Sequence, residues 1–430
     1  MQRRHFIQTL GAGSMALASP LALAKAKTGA NAAKADEAIP VLDPGKWAPT
    51  THARVEALIR ANGRLSPKYS VARKPYVVFD WDNTSIMNDT EEALFMYQIN
   101  HLAFALSPEE FAAVIVKGVP AGNFAADYKN AAGEPISLAA LSADLAADYA
   151  FLYASYKGFK GDKSLEEVQA SDAFVDFRAK LYFLYEAIND SYGPDIGYPW
   201  VIYLFGGLSV AQVSALAEES NDFNLGEALR KVKYTSPKSL PGQAGVVTTA
   251  HTHGLRLTPE IAALMNALRA HGIDVYVSSA SLEEVVRVFA CSPKYGYRVA
   301  PENVIGLRLE RRGDVFAPEY RKGWPLNWGP GKSIVIRQEL VAQKGYGPLM
   351  VLGDSDGDYD MLRDFPETQL GVIVNRLKKG KIGSLCKLGS EQIGKSDSRF
   401  VLQGREERTG QWTPDEKTLK LGAAEKKLLG

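Results

Sequence analysis

The amino-acid sequence predicts an α/β protein built on a doubly wound, mostly parallel sheet, with a large helical insertion. The first observation is a set of short apolar runs typical of strands buried on both faces, at residues 76–79, 273–278, 349–353 and 370–374. The second is that helical patterns separate the later runs, as they do in a parallel sheet. The third is that acidic residues directly follow two of the runs, at the edge where open α/β sheets bind ligands.

Two carboxylates, Asp80 and Asp82, lie one residue apart at the carboxyl end of the first run. A buried strand that presents two acids is unfavourable unless a cation or a proton offsets their repulsion. We therefore interpret residues 76–84 as part of a divalent-metal site, with one carboxylate left free for chemistry. The D-x-D-x-T pattern, which ends at Thr84, also occurs in solvated turns, so this interpretation depends on partner motifs further along the chain.

The composition is that of an ordinary globular protein of 430 residues, with 46% hydrophobic and 23% charged residues. This length suits two domains, or one large domain with an insertion. The formal net charge of +1 gives no reason to expect nucleic acid as a partner. No apolar run approaches the roughly 20 residues that cross a bilayer.

The N-terminus, residues 1–24, resembles a twin-arginine export signal. Arg3 and Arg4 precede a weakly apolar stretch that ends in an A-x-A cleavage pattern at residues 22–24. A disordered tail and an ordinary secretory signal are the alternatives. Export predicts a periplasmic protein that meets the export machinery and keeps no stable membrane anchor after cleavage.

The rest of the chain divides into a linker, a core and a cap. Residues 25–48 are interpreted as a linker, because they are rich in Ala, Lys and Asp and show no periodic apolar face. Residues 49–86 and 250–430 are assigned to the core domain and residues 87–249 to a helical cap domain. Cys291 and Cys386 can form a disulfide in an oxidising compartment, although isolated cysteines are more often buried as small hydrophobes.

Start signals place several elements within these regions. A helix is predicted at 49–62, and Ser107 and Ser164 are predicted to begin helices of the cap. In the core, Ser281 is predicted to cap a helix at 282–290. Residues 304–316 are expected to form a hairpin, and the polar tail from residue 378 to wrap the surface.

The segment 349–358 repeats the arrangement of a buried strand that ends in acids. Its G-D-x-x-x-D pattern contains Asp354 and Asp358, and three carboxylates within five residues repel one another strongly without a cation. A Ca²⁺ loop is the alternative for such an acidic run. The preceding buried strand and the missing terminal Glu argue against that alternative.

Four motifs in this order resemble those of the haloacid dehalogenase superfamily of phosphatases, and its phosphoserine-phosphatase-like branch in particular. They are D-x-D-x-T at 80–84, a strand that ends in Ser279-Ala280-Ser281, Lys332 near a helix start, and G-D-x-x-x-D at 353–358. Ser278 remains an alternative to Ser279, and a plain helix-capping role remains open for both serines. The resemblance covers residues 70–95 and 255–375, and it implies a cap domain between the first and second motifs.

The resemblance implies a Mg²⁺-dependent phosphatase that forms an aspartyl-phosphate on Asp80. Asp82 would protonate the leaving alcohol and then activate water. The resemblance also implies the ligands of Mg²⁺, which are the carboxylate of Asp80, the backbone carbonyl of Asp82 and the acids Asp354 and Asp358. Groups that would bind the phosphate ester are Thr84, Ser279, Ala280 and Lys332.

The substrate is expected to be a small phosphate monoester, with phosphocholine and phosphoserine as candidates. Asp89 lies where phosphoserine phosphatases carry an acid that meets the substrate's amino group, although a helix-capping role is equally open. The cap is rich in aromatic residues that would suit a quaternary ammonium, among them Tyr182, Phe183, Tyr185, Tyr192, Tyr198, Trp200 and Tyr203. A His251-Thr252-His253 metal site, a phosphotransferase and a non-catalytic binding protein are the remaining alternatives.

Overall fold

A parallel sheet of six strands forms the centre of the structure. The structure is a computed structural model and describes residues 41–430. The predicted signal, residues 1–24, lies outside the described residues, as does the predicted linker up to residue 40. The strands are β1 (Tyr76–Phe79), β2 (Ile86–Met87), β3 (Arg230–Thr235), β4 (Thr248–His253), β5 (Arg256–Leu257), β6 (Asp274–Leu282), β7 (Val304–Leu307), β8 (Leu309–Arg312), β9 (Val315–Tyr320), β10 (Met350–Gly353), β11 (Leu370–Val374), β12 (Phe400–Gln403), β13 (Arg405–Glu406) and β14 (Gln411–Trp412).

Helices surround the sheet and fill the long insertion. They are α1 (Pro49–Asn62), α2 (Thr90–His101), α3 (Pro108–Val114), α4 (Leu138–Ser155), α5 (Leu165–Gln169), α6 (Asp172–Tyr192), α7 (Pro194–Tyr203), α8 (Val210–Gly226), α9 (Pro259–Ala270), α10 (Glu283–Cys291), α11 (Pro330–Ile336), α12 (Ala342–Lys344), α13 (Tyr359–Arg363) and α14 (Gly380–Ser390). None of the helices in residues 41–430 has the length and apolar character needed to cross a membrane.

The strand order β12-β11-β10-β1-β6-β7 confirms the predicted fold class. β1 lies between β10 and β6, where Val77 is paired with Met350 on one side and Val275 on the other. All four residues of β1 are buried, as its unbroken apolar run predicted. Because β1 is central and parallel to both neighbours, the residues after it lie between the ends of β10 and β6.

Helices pack on both faces of the sheet, and alternate residues of β1 serve the two layers. Val77 and Phe79 pack into a cluster with α1 and α9, whereas Tyr76 and Val78 pack into a second cluster with α11 and α14. The period of two along the strand thus divides one apolar run between two helical layers. The helix predicted at 49–62 is confirmed as α1.

The long insertion after β2 carries α2 to α8 and ends in the antiparallel hairpin β3–β4. Ser107 and Ser164 each form a capping box, with Glu110 and Glu167, so both predicted helix starts are confirmed. The helices have an aromatic core of their own, in which Phe111 and Tyr149 stack with ring centroids 4.0 Å apart. A large helical insertion at this position is therefore present.

The hairpin predicted at residues 304–316 is confirmed in part. β8 and β9 pair as a hairpin with its turn at residues 313–314, whereas β7 joins the edge of the main sheet beside β6. The tail after residue 378 does not simply wrap the surface. It forms α14 and then β12, which extends the main sheet beside β11.

The ends of the described chain meet next to β12. Trp47 and Trp412 are both buried and pack edge to face with centroids 4.6 Å apart. Residues 41–48, the last part of the predicted linker, are therefore packed against the C-terminal segment. Cys291 and Cys386 are both free thiols.

Candidate active site

The carboxyl edge of the sheet opens into a cavity of about 500 Å³. Because the strands are parallel, the residues that follow β1, β6 and β10 meet at this edge. The cavity is lined by most of the residues that the sequence singled out, namely Asp80, Asp82, Asp89, Ser279, Ala280, Lys332 and Asp354. Thr84 and Asp358 are buried and hydrogen-bonded to these lining residues.

Asp80 follows β1 and is only 6% exposed. Its Oδ1 accepts a hydrogen bond from Lys332 Nζ at 2.6 Å, and its Oδ2 accepts one from the Thr84 hydroxyl at 2.7 Å. Burial, and then the charge of Asp358, raises the pKa of Asp80 well above its ordinary value. The fold therefore holds a carboxylate where water cannot stabilise its charge.

Lys332 lies on α11 and is 1% exposed. Its Nζ also lies 2.6 Å from Asp358 Oδ1. Burial by itself disfavours the ammonium, but the charges of Asp358 and Asp80 outweigh burial and raise the pKa of Lys332. One buried ammonium thus joins an acid after β1 to an acid after β10.

The turn after β10 orients its own acids. Asp358 Oδ2 accepts hydrogen bonds from the backbone N–H groups of Asp354 at 2.9 Å and of Ser355 at 3.1 Å. A Cβ atom at Gly353 would lie 2.4 Å from Asp358 Cβ, so this position has room only for glycine. The Thr84 hydroxyl lies 3.0 Å from Asp354 Oδ1 and connects this turn to the one after β1.

Asp80, Asp354 and Asp358 together can hold a cation. All three are buried, and one carboxylate oxygen of each lies within 4.8 Å of the others. Hard oxygen donors at such spacing suit a small divalent cation. The raised pKa of Asp80 has the same origin, since clustered buried carboxylates favour either a proton or a cation.

Asp82 is held at the cavity wall by residues of two different elements, α2 and β6. Its Oδ1 accepts a hydrogen bond from Thr90 N at 2.7 Å, and its Oδ2 accepts one from the Ser281 hydroxyl at 2.7 Å. Burial raises the pKa of Asp82 despite these hydrogen bonds. The prediction that Ser281 caps α10 is wrong, because its hydroxyl binds Asp82 and the N-cap residue, Leu282, has no side-chain hydrogen bond.

The two candidate serines at the end of β6 point in different directions. Ser279 lines the cavity, and its Oγ lies 3.4 Å from Asp82 Oδ2. Ser278 does not line the cavity, and its hydroxyl donates to Asn327 Oδ1 at 3.0 Å. Asn327 also donates to the Ser279 carbonyl at 2.7 Å, which fixes the backbone of this strand end. The geometry therefore favours Ser279 over Ser278 as the cavity residue.

An acidic wall lies beside Asp82 at the start of α2. Asp89 both caps α2, by accepting from Glu92 N at 2.9 Å, and lines the cavity, so the two interpretations of this residue are compatible. Glu91 and Glu92 line the cavity as well, although sequence reasoning did not single them out. Burial raises the pKa of Glu91 to about 8 and also raises the pKa values of Asp89 and Glu92. The sequence signal that could have found Glu91 and Glu92 was the run of acids at residues 89–92.

The insertion covers the cavity with aromatic side chains. Tyr185 of α6 and Tyr198 of α7 line it, and the Tyr185 hydroxyl lies 3.5 Å from Glu92 Oε1. The remaining aromatic candidates lie in or against the core of the insertion and do not line the cavity, namely Tyr182, Phe183, Tyr192, Trp200 and Tyr203. Acidic and aromatic side chains thus face the cavity from the same side.

Cationic side chains that follow β11 also line the cavity. Arg376 lines the cavity, and its Nη1 donates to Asp354 Oδ2 at 2.5 Å. Lys378 and Lys379 line it as well, and Trp328 lies beside the turn after β10. Sequence reasoning missed Arg376. The signal that could have found it was its position two residues after the predicted strand at 370–374.

His251 and His253 of β4 do not form a metal site with a third ligand within residues 41–430. His251 Nδ1 lies 2.9 Å from the Tyr182 hydroxyl, and His253 Nε2 lies 2.6 Å from the Tyr234 hydroxyl. Burial lowers the pKa of His251 to about 3, so its ring is neutral. Both rings serve as hydrogen-bond partners for tyrosines.

Comparison with known proteins places these features in one superfamily. Residues 225–363 match the family model of haloacid dehalogenase-like hydrolases. A phosphorylcholine phosphatase from Pseudomonas aeruginosa is 25% identical over 361 residues, which cover 77% of this chain and 81% of that protein. A crystal structure of a protein of unknown function from Anaerococcus prevotii is 30% identical, covers 89% of this chain and 99% of that chain, and superposes with a TM-score of 0.83.

The matched family segment contains the strand ends that carry Ser279 and Asp354, together with Lys332. The similarity covers 77% of this chain for the first relative and 89% for the second, so it extends beyond the core into the insertion. The chain therefore belongs to the haloacid dehalogenase-like hydrolases, and it is a phosphatase of that superfamily.

Proposed function

We propose that the chain hydrolyses a small phosphate monoester of a cationic alcohol, with Mg²⁺, through an aspartyl-phosphate intermediate. The observation that carries the proposal is the arrangement around Asp80. This carboxylate is held by Lys332 and Thr84 at the cavity wall, and a second acid, Asp82, is held separately beside it.

Asp80 is the proposed nucleophile. An Oδ atom would attack phosphorus and displace the alcohol, which leaves the phosphoryl group on the carboxylate. Lys332 offsets the charge of both the nucleophile and the transferring group, because its ammonium already lies 2.6 Å from Asp80 Oδ1. The Ser279 hydroxyl and the backbone N–H groups that follow it would receive the phosphoryl oxygens.

Asp82 is the proposed general acid and base. Burial raises the pKa of this carboxyl and so favours the protonated form that a departing alkoxide needs. The resulting carboxylate would then take a proton from the water that hydrolyses the intermediate. Hydrogen bonds from Thr90 N and Ser281 keep the carboxyl in place through both steps.

The proposed metal is Mg²⁺. It would be held by the carboxylates of Asp80 and Asp354, by the backbone carbonyl of Asp82, and through Asp358 behind them, and it would supply positive charge that offsets the phosphoryl oxygens. The buried acidic group is the observation that supports this assignment.

The proposed leaving group carries a positive charge. Asp89 and Glu92 face the cavity, and Tyr185 and Tyr198 lie on the same side. Carboxylates beside aromatic faces stabilise an ammonium or a quaternary ammonium. The relative from Pseudomonas aeruginosa is a phosphorylcholine phosphatase, which makes phosphocholine the first candidate substrate and phosphoserine the second.

A screen of phosphate monoesters with and without Mg²⁺ tests the proposal, with phosphocholine, phosphoserine and p-nitrophenyl phosphate included. We expect turnover of at least one ester, and we expect Asp80→Asn to abolish it while circular dichroism stays unchanged. Asp127→Asn, on an exposed loop of the insertion, is the control and should keep full activity. Product analysis with an added alcohol acceptor separates hydrolysis from transfer. Normal turnover by Asp80→Asn would refute the nucleophile assignment.

We further propose that the chain is exported to the periplasm by the twin-arginine route. The support is the sequence of residues 1–24, with Arg3 and Arg4 before the apolar stretch. Fractionation of cells that express the full chain should place it in the periplasm. The double variant Arg3→Lys, Arg4→Lys should retain it in the cytoplasm, and unchanged export of that variant would exclude this route.

A further inference from the structure

A second cavity, of about 720 Å³, adjoins the catalytic one. Asn83, Asp89, Glu92 and Arg376 line both cavities and form the boundary between them. The far side of the second cavity is formed by the hairpin β3–β4 and by the C-terminal segment after β12. None of the motifs found in the sequence accounts for this second space.

Basic side chains dominate the charged lining of the second cavity. They are Arg230, Lys231, Arg376, Arg405 and Lys420, against the acids Asp89, Glu92 and Glu407. Glu407 is already paired, because its Oε1 lies 2.9 Å from Arg405 Nη2 and 3.0 Å from Lys420 Nζ. The cavity thus has more positive charge than its own acids neutralise.

The Arg376 guanidinium has capacity to bind a ligand. Within residues 41–430, its single protein partner is Asp354, which accepts from Nη1. In the described part of the chain, the Nε atom is buried without a hydrogen-bond partner, and Nη2 donates no hydrogen bond to a protein acceptor. Asp354 is also a proposed ligand of the cation. Its negative charge would then be divided between the cation and Arg376, so it would not fully neutralise Arg376.

Arg405 lies next to Arg376 and is 3% exposed. Its Nη1 donates to Asn83 Oδ1 at 3.2 Å, whereas its Nε is buried without a partner. Burial, and then the charge of Arg376, lowers the pKa of Arg405 to about 10. The Arg376 side chain is 20% exposed. Two neighbouring guanidinium groups that disfavour each other's charge, one buried and one partly buried, are stabilised by an anion between them.

We propose that Arg376 and Arg405 form a second oxyanion-binding site, separate from the phosphoryl-binding groups Ser279 and Lys332. Lys420 and Lys231 lie at its rim. The ligand is a small oxyanion of the phosphate or carboxylate type, which the fork of a guanidinium binds with two parallel hydrogen bonds. The inference rests on the proposed function, because the second site is defined by its position beside the proposed phosphate-ester site.

This oxyanion has two chemical sources. It is either a second anionic group on the substrate, such as a carboxylate, or inorganic phosphate released by the reaction. Both sources present anionic oxygens to Arg376. The acids Asp89 and Glu92 line both cavities, so the cationic end of the substrate would lie between the two sites. Binding and kinetics distinguish the sources.

Calorimetric titration of the Mg²⁺-loaded full chain with sulfate tests the site itself. We expect sulfate affinity to fall about 10-fold or more in Arg376→Gln, because a bidentate charged contact is lost. Lys420→Gln, at the exposed rim, should lower it by a smaller factor of about 3. Lys420→Gln also keeps the test decisive if Arg376→Gln fails to fold.

Two control variants mark the location. Ser279→Ala removes a hydroxyl from the phosphoryl-binding wall and should leave sulfate affinity at the second site unchanged. Arg408→Gln removes an exposed arginine that pairs with Glu406 and should also have no effect. Wild-type affinity in both Arg376→Gln and Lys420→Gln, or a loss confined to Ser279→Ala, would overturn the second site. These titrations need no turnover, so their failure and a failure of the proposed phosphatase reaction are distinguishable.

Kinetics with a matched pair of esters identifies the source. Phosphoserine and phosphoethanolamine differ by one carboxylate, so any effect of Arg376→Gln that acts through Asp354 cancels in the ratio of their kcat/KM values. If the ligand is a group of the substrate, that ratio falls about 10-fold in Arg376→Gln. If the ligand is the product, the ratio is unchanged and inhibition by inorganic phosphate weakens about 10-fold instead. A variant that changes neither quantity contradicts the proposal.

Discussion

Thr84 connects the two acidic strand ends through a single hydroxyl group. Its Oγ1 lies 2.7 Å from Asp80 Oδ2 and 3.0 Å from Asp354 Oδ1. Asp80 and Asp354 are 274 residues apart in sequence and belong to neighbouring strands of the sheet. A hydrogen bond of this kind would orient the two proposed metal ligands without touching the ion.

Replacing Thr84 by Val should weaken cation binding. The shape of the side chain is nearly kept, but the hydroxyl that positions both carboxylates is lost, so we expect Mg²⁺ affinity to fall roughly 10-fold or more. Isothermal titration with Mg²⁺ measures the effect. Thr409→Val, at an exposed turn, is the control. Equal affinities of wild type and Thr84→Val would show that this hydroxyl does not orient the acids.

Replacing Asp82 by Asn should remove general acid–base catalysis. The side-chain change leaves the backbone carbonyl in place, so kcat should fall about 10² to 10⁴-fold while Mg²⁺ affinity changes little. The loss should be larger for phosphocholine than for p-nitrophenyl phosphate, because p-nitrophenolate leaves without a proton. Steady-state rates on both esters provide the comparison, and identical losses would argue against Asp82 as the acid.

At the scale of elements, the turn after β10 depends on one close approach. Gly353 ends the strand, and the Asp358 side chain packs over it on its way to Lys332 and the backbone N–H of Asp354. The sequence predicted a strand followed by acids here. It did not indicate that the glycine is needed to make space for the second acid.

Replacing Gly353 by Ala should therefore displace Asp358. We expect a loss of about 1–3 kcal/mol in the free energy of unfolding, because the new Cβ would lie 2.4 Å from Asp358 Cβ. Urea denaturation measures it. Gly226→Ala is the matched control, since a Cβ there meets no atom within 4 Å. Similar stability of the two variants would show that the turn relaxes without cost.

Element boundaries show which local signals are reliable. The capping boxes at Ser107 and Ser164 were predictable, because a helix start depends on residues within one turn of each other. The edge strand β12 was not, because four residues inside a polar tail reach the sheet through tertiary contacts with α1, α14 and β11. Ser281 carried a capping signal, but Asp82 is a stronger partner for its hydroxyl.

At the scale of the whole molecule, a buried ionic cluster ties the insertion together. Lys180 of α6 is fully buried and lies 2.8 Å from both Asp144 and Asp176. Asp144 also accepts from the backbone N–H groups of residues 243 and 244, which anchors the loop before β4. Asp148 completes the cluster. Burial, and then the charge of Asp176, raises its pKa to about 9.

The stability of the protein should therefore fall as the pH rises. Asp148 is protonated in the folded chain up to about pH 9, whereas the unfolded carboxyl ionises near pH 4, so the folded state binds more protons between these values. In Asp148→Asn, the side-chain amide keeps an N–H donor for the Asp176 carboxylate, but it has no proton to lose in this pH range. We expect this variant to be more stable than wild type at pH 8, with a flatter dependence of Tm on pH.

Calorimetric melting from about pH 5 to pH 8 checks this expectation. Asp162→Asn, on an exposed loop of the insertion, is the control and should follow the wild-type curve. Parallel curves for Asp148→Asn and wild type would mean that the cluster does not bind the extra proton.

The amino-acid sequence alone determined the central strands, several helix starts and the order of the acidic motifs. Each of these depends on side-chain alternation, turn chemistry or charge repulsion among residues that are close along the chain. The tertiary structure alone decided that Arg376, Glu92 and Tyr198 face the cavity, that Ser281 binds Asp82, and that the C-terminal segment forms a wall with Arg405. The physical reason is that a polar side chain binds the partner that the folded topology brings to it, and that partner can lie hundreds of residues away.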